Sequence, residues 1–410
     1  MDIQDYVRTL KAQNSDSEVW WDAAPTLYPE FRKLVLNRYP HIAQYIEQLL
    51  PEFWLDAQSG VSGATTNPKL VTRAVLEQAG HCHDEVDIEP VLQGADRARQ
   101  IYDRLIVESA RLLHPLWTLS RRRYGWLSAQ VDMTQLHSSE CMVARGLELA
   151  RLSPNLMIKV PGSLNGYLTI EHLVAKGCSI NNTLCFTVSQ FMAGLAAIHR
   201  GRLLARQNQV DVSHARYVIT FMIGRFGDEP QFDLQARQLG ITLSQEDKRW
   251  AELAIYQALQ ALLQRWQTPA RLLLCSLRVD RNEHGDEFSW HLERTGADTT
   301  LYTLTPEIIE FLLRRHASGT PVLPAPDRLP IPEEVMNKLL CIPYFTDAYF
   351  EASIEAAAFE HHPAFITARN EACTAHGQLR AFAEGFARQG LDAMPMPNSR
   401  PVTPMAGVPL

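Results

Sequence analysis

The sequence predicts a closed (β/α)8 barrel, the TIM-barrel architecture, with N-terminal and C-terminal helical additions. Two observations point there. Eight short runs rich in branched or aromatic residues are spaced along most of the chain, and amphipathic segments separate most of them. A third counts against the open doubly wound sheet, because no glycine-rich phosphate loop follows an early strand.

The strand candidates are EVWWDA, VSGATT, GWLSAQVD, LMIKVPG, CSINNTLCF, YVITFMIG, RLLLCSLR and TTLYTLT, each bounded by turn or polar residues. Helical periodicity runs through LYPEFRKLVLNRYPHIAQYIEQLL after the first strand and ADRARQIYDRLIVESARLL before the third. It returns in SSECMVARGLELARL, LTIEHLVAKG, TVSQFMAGLAAIHRGRLLARQ and KRWAELAIYQALQALLQRW. Residues 1–16 form an N-terminal segment and 17–316 the barrel. Residues 317–333, proline-rich, read as an extended connection. Residues 334–390 carry helical patterns, and the proline-rich tail 391–410 lacks a regular pattern.

Bulk composition narrows the function classes. The chain has 410 residues, 46% apolar and 21% charged, with a formal net charge of −7. That balance supplies no excess of cations for general nucleic-acid binding. No apolar run approaches a membrane span, and the polar start does not resemble a secretory signal. Seven scattered cysteines without a CxxC pair suit a reducing compartment, so a cytoplasmic setting is expected. The oligomeric state stays open, homo-oligomers included.

The sharpest feature is Lys159, an ammonium group inside the apolar run NLMIKVPG. An ordinary strand lysine pairs with a carboxylate or extends its stem to solvent. A desolvated one has a lowered pKa and can attack a carbonyl to form a Schiff base. Lys159 stands just before the strand-ending Pro161-Gly162, and barrels carry their active groups at strand C-termini. Polar residues end other strands too: Asp22; Thr65, Thr66 and Asn67; Gln130 and Asp132; Asn181 and Thr183; Thr220 and Arg225; Ser276 and Arg278. Their order around Lys159 marks a candidate site.

These segments also carry a resemblance. ATTNPKLV resembles the threonine-threonine-asparagine-proline signature of the transaldolase family. LMIKVPGSLNGYLTIEHLVAKGCSINNTLCFTVSQFMAGLAA is similar to its Schiff-base segment, and FMIGR and CSLR resemble two later motifs. The similarity extends over roughly residues 17–316. It implies class I aldol chemistry without metal or other cofactor, on sugar phosphate substrates. By resemblance Lys159 is the Schiff-base lysine, Asp22 the proton-transfer group, and Gln130 and Thr183 hold a water. Asn67 and Asn181 bind hydroxyls of the retained fragment, with Thr66 and Thr220 beside them. Arg225, Ser276 and Arg278 bind phosphate, which suits the bidentate chemistry of guanidinium. The resemblance further implies a role in carbohydrate metabolism of the pentose phosphate type.

Two positions depart from a simple match. Both Asp22 and Asp56 look like an aspartate ending the first strand. Asp56 leaves too few residues for a parallel crossover before VSGATT, so spacing favours Asp22, with Asp56 as its competitor. Transaldolases commonly carry glutamate where this chain has Gln130, whereas glutamine belongs to the fructose 6-phosphate aldolase branch. That branch has a tyrosine where this chain has Met222. Three functions follow: a dihydroxyacetone transferase, a Schiff-base aldolase, or a non-catalytic barrel serving as a binding or scaffold subunit.

Other features have plain readings. Adjacent side chains in HCHDE (residues 81–85) converge poorly on one metal ion. His361-His362 reads as a surface pair at a helix end, Arg121-Arg122-Arg123 as a solvated loop, and the eight tryptophans as packing.

Overall fold

The computed structural model describes residues 5–52, 60–78 and 95–392. Eight strands close into a barrel: β1 (Glu18–Trp21), β2 (Val61–Thr65), β3 (Trp126–Gln130), β4 (Leu156–Pro161), β5 (Ser179–Cys185), β6 (Tyr217–Phe221), β7 (Arg271–Leu274) and β8 (Leu301–Leu304). Every neighbouring pair is parallel, and β8 returns to β1 with Trp21 opposite Leu304. All eight candidate runs therefore form the expected strands, and every strand C-terminus opens at one mouth.

The crossover from β1 to β2 differs from the single long helix expected. It divides into Tyr28–Arg38 and Ala43–Leu49, joined by a 3-10 turn at Pro40–Ile42. Pro40 has no N–H to continue the helical ladder, and its ring crowds the preceding turn. The crossover still satisfies the connection that Asp22 needs. Asp56 and the HCHDE stretch lie outside the described residues.

Alternation along the strands sorts the barrel into a sealed end and a polar mouth. Trp20, Trp126, Met157, Val218, Leu273 and Leu301 pack together inside. A β-carbon on Gly63 would lie 2.8 Å from the Trp20 ring, so this wall position admits only glycine beside the indole. Below the tryptophan, Glu18 pairs with Arg216 at 2.5 Å and accepts from Trp20 Nε1 at 2.9 Å. The Arg216 guanidinium also stacks over the Trp20 ring. Arg121, Arg122 and Arg123 precede β3 at this sealed end, exposed as expected and remote from the mouth; Arg123 pairs with Asp16.

After β8 come the helix Pro306–Ala317 and residues 320–332, which form no helix or strand. The chain then runs through Glu333–Leu339, Pro343–Tyr349, a 3-10 turn at Ala356–His361 and the long helix Pro363–Asp392. Prolines restart two of these segments, where a missing N–H costs nothing. The expected surface histidine pair divides here. His361 is exposed, but His362 is buried, stacked on Phe186 and packed against Tyr344. Burial lowers its pKa to about 4. Its neighbours are aromatic rings brought in by distant segments, which local pattern does not reveal.

Replacing Arg216 with methionine strands the Glu18 carboxylate in the sealed end. We expect urea denaturation to show a loss of about 3 kcal/mol. A loss below about 1 kcal/mol would mean that Glu18 is solvated without its partner.

Candidate active site at the barrel mouth

Burial and charge at the mouth begin with β4. Met157, Lys159 and Pro161 alternate onto the interior face, so the residue that carries the amine is fixed by the pleat. Lys159 is 7% exposed, and its Nζ donates to the Thr66 carbonyl at 3.3 Å. Burial holds its pKa below the ordinary lysine value; the Asp22 carboxylate opposes that shift and Arg225 adds to it. Asp22 is displaced the other way. Burial raises its pKa, while Lys159 and a hydrogen bond from Thr65 Oγ1 at 2.6 Å pull it down. Each group thus moves toward its neutral form, the arrangement that suits an amine nucleophile and a carboxyl proton carrier.

A cavity of about 780 Å³ opens from this pair. Lys159, Asp22, Asn67 and Thr220 line it, together with Arg225, Ser276 and Arg278. Residues proposed from five strand ends and the loops after them therefore share one space. Asn67 also caps the helix Pro68–Gln78, accepting from Leu70 N at 2.9 Å. Thr66 is tied down by its side chain: Oγ1 donates to Ser128 O at 2.8 Å, which presents its carbonyl to Lys159.

Asn181, Thr183 and Gln130 are buried next to this space. Asn181 lies opposite Lys159 in the ladder, donates to Ser128 Oγ at 2.9 Å and accepts from Thr220 Oγ1 at 2.6 Å. Thr183 pairs with Pro161 in register. A register irregularity follows it, where Leu184 adopts φ 55°. Gln130 stands opposite Lys159 on the other side, so both side chains share one face. Its backbone N–H and carbonyl are both bonded to the Tyr102 hydroxyl, at 2.8 and 3.2 Å. Its Nε2 is buried with no hydrogen-bond partner among the described residues. The same strand end borders a second cavity of about 280 Å³, where Asp132 faces His376 at 3.6 Å.

The cationic side of the cavity comes from the loops after β6 and β7. Gly224 makes their approach possible: a β-carbon there would meet the Ser276 carbonyl at 2.1 Å. Ser276 itself adopts φ 58°, and its carbonyl accepts from Arg278 Nη1 at 3.0 Å. Arg278 Nε donates to Asp228 at 2.5 Å. The Arg278 backbone N–H donates to His291 Nδ1 at 3.0 Å, so His291 Nε2 carries the proton it shares with Glu252 at 2.7 Å. Arg225 makes a two-point contact with Glu371, each arm 2.8 Å.

Several participants were not anticipated from sequence. Thr303 on β8 joins Thr65 at 2.5 Å, extending the chain that ends on Asp22. Ser128 and Cys275 also face inward, and Lys69, Arg73 and Glu307 line the rim. Alternation in LYTL would have revealed Thr303. No local signal marks Glu371. Among the described residues, no three His, Cys, Asp or Glu side chains are grouped so as to hold a metal ion. No helix there is long and apolar enough to cross a membrane.

Fold and site together define a (β/α)8 barrel with a desolvated amine and a carboxyl group at the mouth, beside two arginines. A family model described as Transaldolase/Fructose-6-phosphate aldolase matches residues 45–340. The chain belongs to that family. It is 30% identical over 174 residues to "Transaldolase 2" of Nostoc punctiforme, covering 40% of this chain and 44% of that protein. It is 31% identical over 180 residues to "Transaldolase" of Mycobacterium tuberculosis, covering 43% and 48%. With "Transaldolase" of Mycobacterium ulcerans the identity is 30% over 191 residues, covering 45% and 50%. The chain spans about half the length of the curated relatives it matches. β1 with Asp22, and the long helix with Glu371, lie outside the matched range.

The lowered pKa of Lys159 sets an expected pH profile. Reductive labelling of Lys159 by dihydroxyacetone and borohydride should rise with pH at a midpoint below the ordinary lysine value of 10.5. Asp22→Asn removes the charge that holds the ammonium form, so the midpoint should fall further. A midpoint that rises in Asp22→Asn would contradict the coupling.

Proposed function

We propose that this chain forms a Schiff base between Lys159 and a ketose phosphate and transfers a dihydroxyacetone unit to an aldose acceptor. The observation that carries this reading is the buried Lys159 amine, beside Asp22, in a cavity whose far side bears Arg225 and Arg278. Membership of the transaldolase/fructose-6-phosphate aldolase family supports it. A cytoplasmic sugar phosphate pathway is the setting we propose for it.

The steps follow from the groups present. The neutral amine of Lys159 attacks the ketone carbon, and the carbinolamine loses water to give a protonated imine. Asp22, whose pKa is raised by burial, takes the proton from the C4 hydroxyl. The C3–C4 bond breaks, an aldehyde leaves, and the bonding electrons flow into the imine to form an enamine. That enamine adds to the acceptor aldehyde, Asp22 returns its proton to the new alkoxide, and water releases the product. Asn67 and the Asn181–Thr220 pair hold hydroxyls of the retained fragment. Arg225, Ser276 and Arg278 receive the phosphate.

Gln130 favours a second reading, an aldolase that releases its fragment to water. A glutamine amide can orient a water or hydroxyl but cannot take its proton, and Nε2 is buried with no acceptor among the described residues. The two readings differ in whether turnover needs an aldehyde acceptor. Borohydride trapping with fructose 6-phosphate should add mass at Lys159, and Lys159→Met should lose both adduct and turnover while remaining folded. A chain that forms no adduct with any ketose would instead be a non-catalytic barrel.

Arg278→Ala should raise KM for phosphorylated substrates about tenfold or more, with kcat changed less. An unchanged KM would remove Arg278 from the phosphate site.

A further inference from the structure

The long helix Pro363–Asp392 is fastened across the barrel mouth at several points. Thr367 Oγ1 donates to Glu229 Oε2 at 3.0 Å, beyond β6, and Thr72 Oγ1 donates to the Ala375 carbonyl at 3.0 Å, beyond β2. Thr367, Glu371 and Ala375 recur every four residues, so they share one helix face. That face delivers the Glu371 carboxylate to the cavity rim. Its Oε1 accepts from Arg225 Nη1 and its Oε2 from Nη2, each at 2.8 Å. Lys69 Nζ lies 3.6 Å from the same Oε2.

This is the planar, two-oxygen geometry in which a guanidinium also receives a phosphate. Both cations that Glu371 contacts line the cavity holding Lys159. A phosphate approaching Arg225 therefore meets an arginine whose two terminal nitrogens are already occupied. It must displace the carboxylate or share the guanidinium with a like charge. Arg225 is the first cause of the lowered Glu371 pKa, so the carboxylate is ionised at neutral pH.

We propose that Glu371 is a specificity-determining residue: an internal anion that competes for Arg225 and biases the site against phosphorylated sugars relative to unphosphorylated ones. The proposal rests on the reading of Arg225 as part of the phosphate-binding side. Glu371 touches no reacting atom in this scheme and acts through Arg225.

The test uses the full chain and inorganic phosphate, with affinity measured by titration calorimetry. Glu371→Gln keeps shape and removes charge, and should bind phosphate about three- to tenfold more tightly than the parent, the range of one partly exposed like charge. KM for fructose 6-phosphate should fall in the same proportion, with kcat moving less. Glu371→Asp keeps the charge and should restore the parent affinity. Glu371→Ala, a second neutral variant, carries the same expectation should the glutamine variant fold poorly. In an Arg225→Ala background the neutral substitution should have a clearly smaller effect on phosphate binding, the part that remains through Lys69. Equal or weaker phosphate binding by both neutral variants overturns the proposal, and so does a parent and variant set that binds no phosphate. Lys159 labelling by dihydroxyacetone and borohydride, run on the same samples, reads the Schiff-base mechanism separately. Its absence would sink that mechanism while leaving the phosphate comparison decisive for Glu371.

Discussion

Everything at the mouth depends on how the opposite end of the barrel is filled. The Trp20 ring occupies the interior against Gly63, and the Glu18–Arg216 pair seals the space beneath it. Among the described residues that end is filled by side chains, and the cavity holding Lys159 opens on the side where the strands finish. Lys159 therefore sits at the floor of a one-ended vessel, with apolar side chains below it and polar ones around it. Its desolvation is a consequence of packing several residues away. A void beneath the tryptophan would solvate the amine and return its pKa toward the ordinary value.

Above that floor, polar groups are linked in short hydrogen-bonded chains. In one chain Asn181 donates to Ser128 and accepts from Thr220; in another Thr65 links Thr303 to Asp22. Buried polar side chains linked in this way resist rotation, because turning one would leave its neighbour unpaired. These chains hold Asp22, while Lys159 is held by its own bond to the Thr66 carbonyl. The outer rim works differently. Its charges are partly exposed and come from loops and from the long helix, so they can respond to what enters.

Much of this was legible in the chain, and the reasons can be named. Alternation and strand-end polarity sufficed to bring Lys159, Asp22, Asn67, Thr220, Arg225, Ser276 and Arg278 to one cavity, since a barrel converts strand order into spatial order. Asp22 could be preferred over Asp56 because crossover length is a geometric limit. What stayed hidden depends on contacts between segments far apart in sequence. Glu371 meets Arg225 across 146 positions, and His362 is buried by rings from other elements. Gln130 was visible as a departure from the usual glutamate. Its unpartnered amide, held beside a strand whose main chain is clamped by Tyr102, was not.

The long helix crossing the mouth has a bearing on synthesis as well. The barrel strands are complete at Leu304, well before Glu371 leaves the ribosome. Until the long helix docks, Arg225 and Lys69 lack the carboxylate that contacts them in the folded chain. Phosphorylated metabolites would meet a more cationic site on a chain lacking that helix than on one that has it. The electrostatic character of the mouth thus depends on two parts of the chain, the barrel itself and a helix that follows it in sequence.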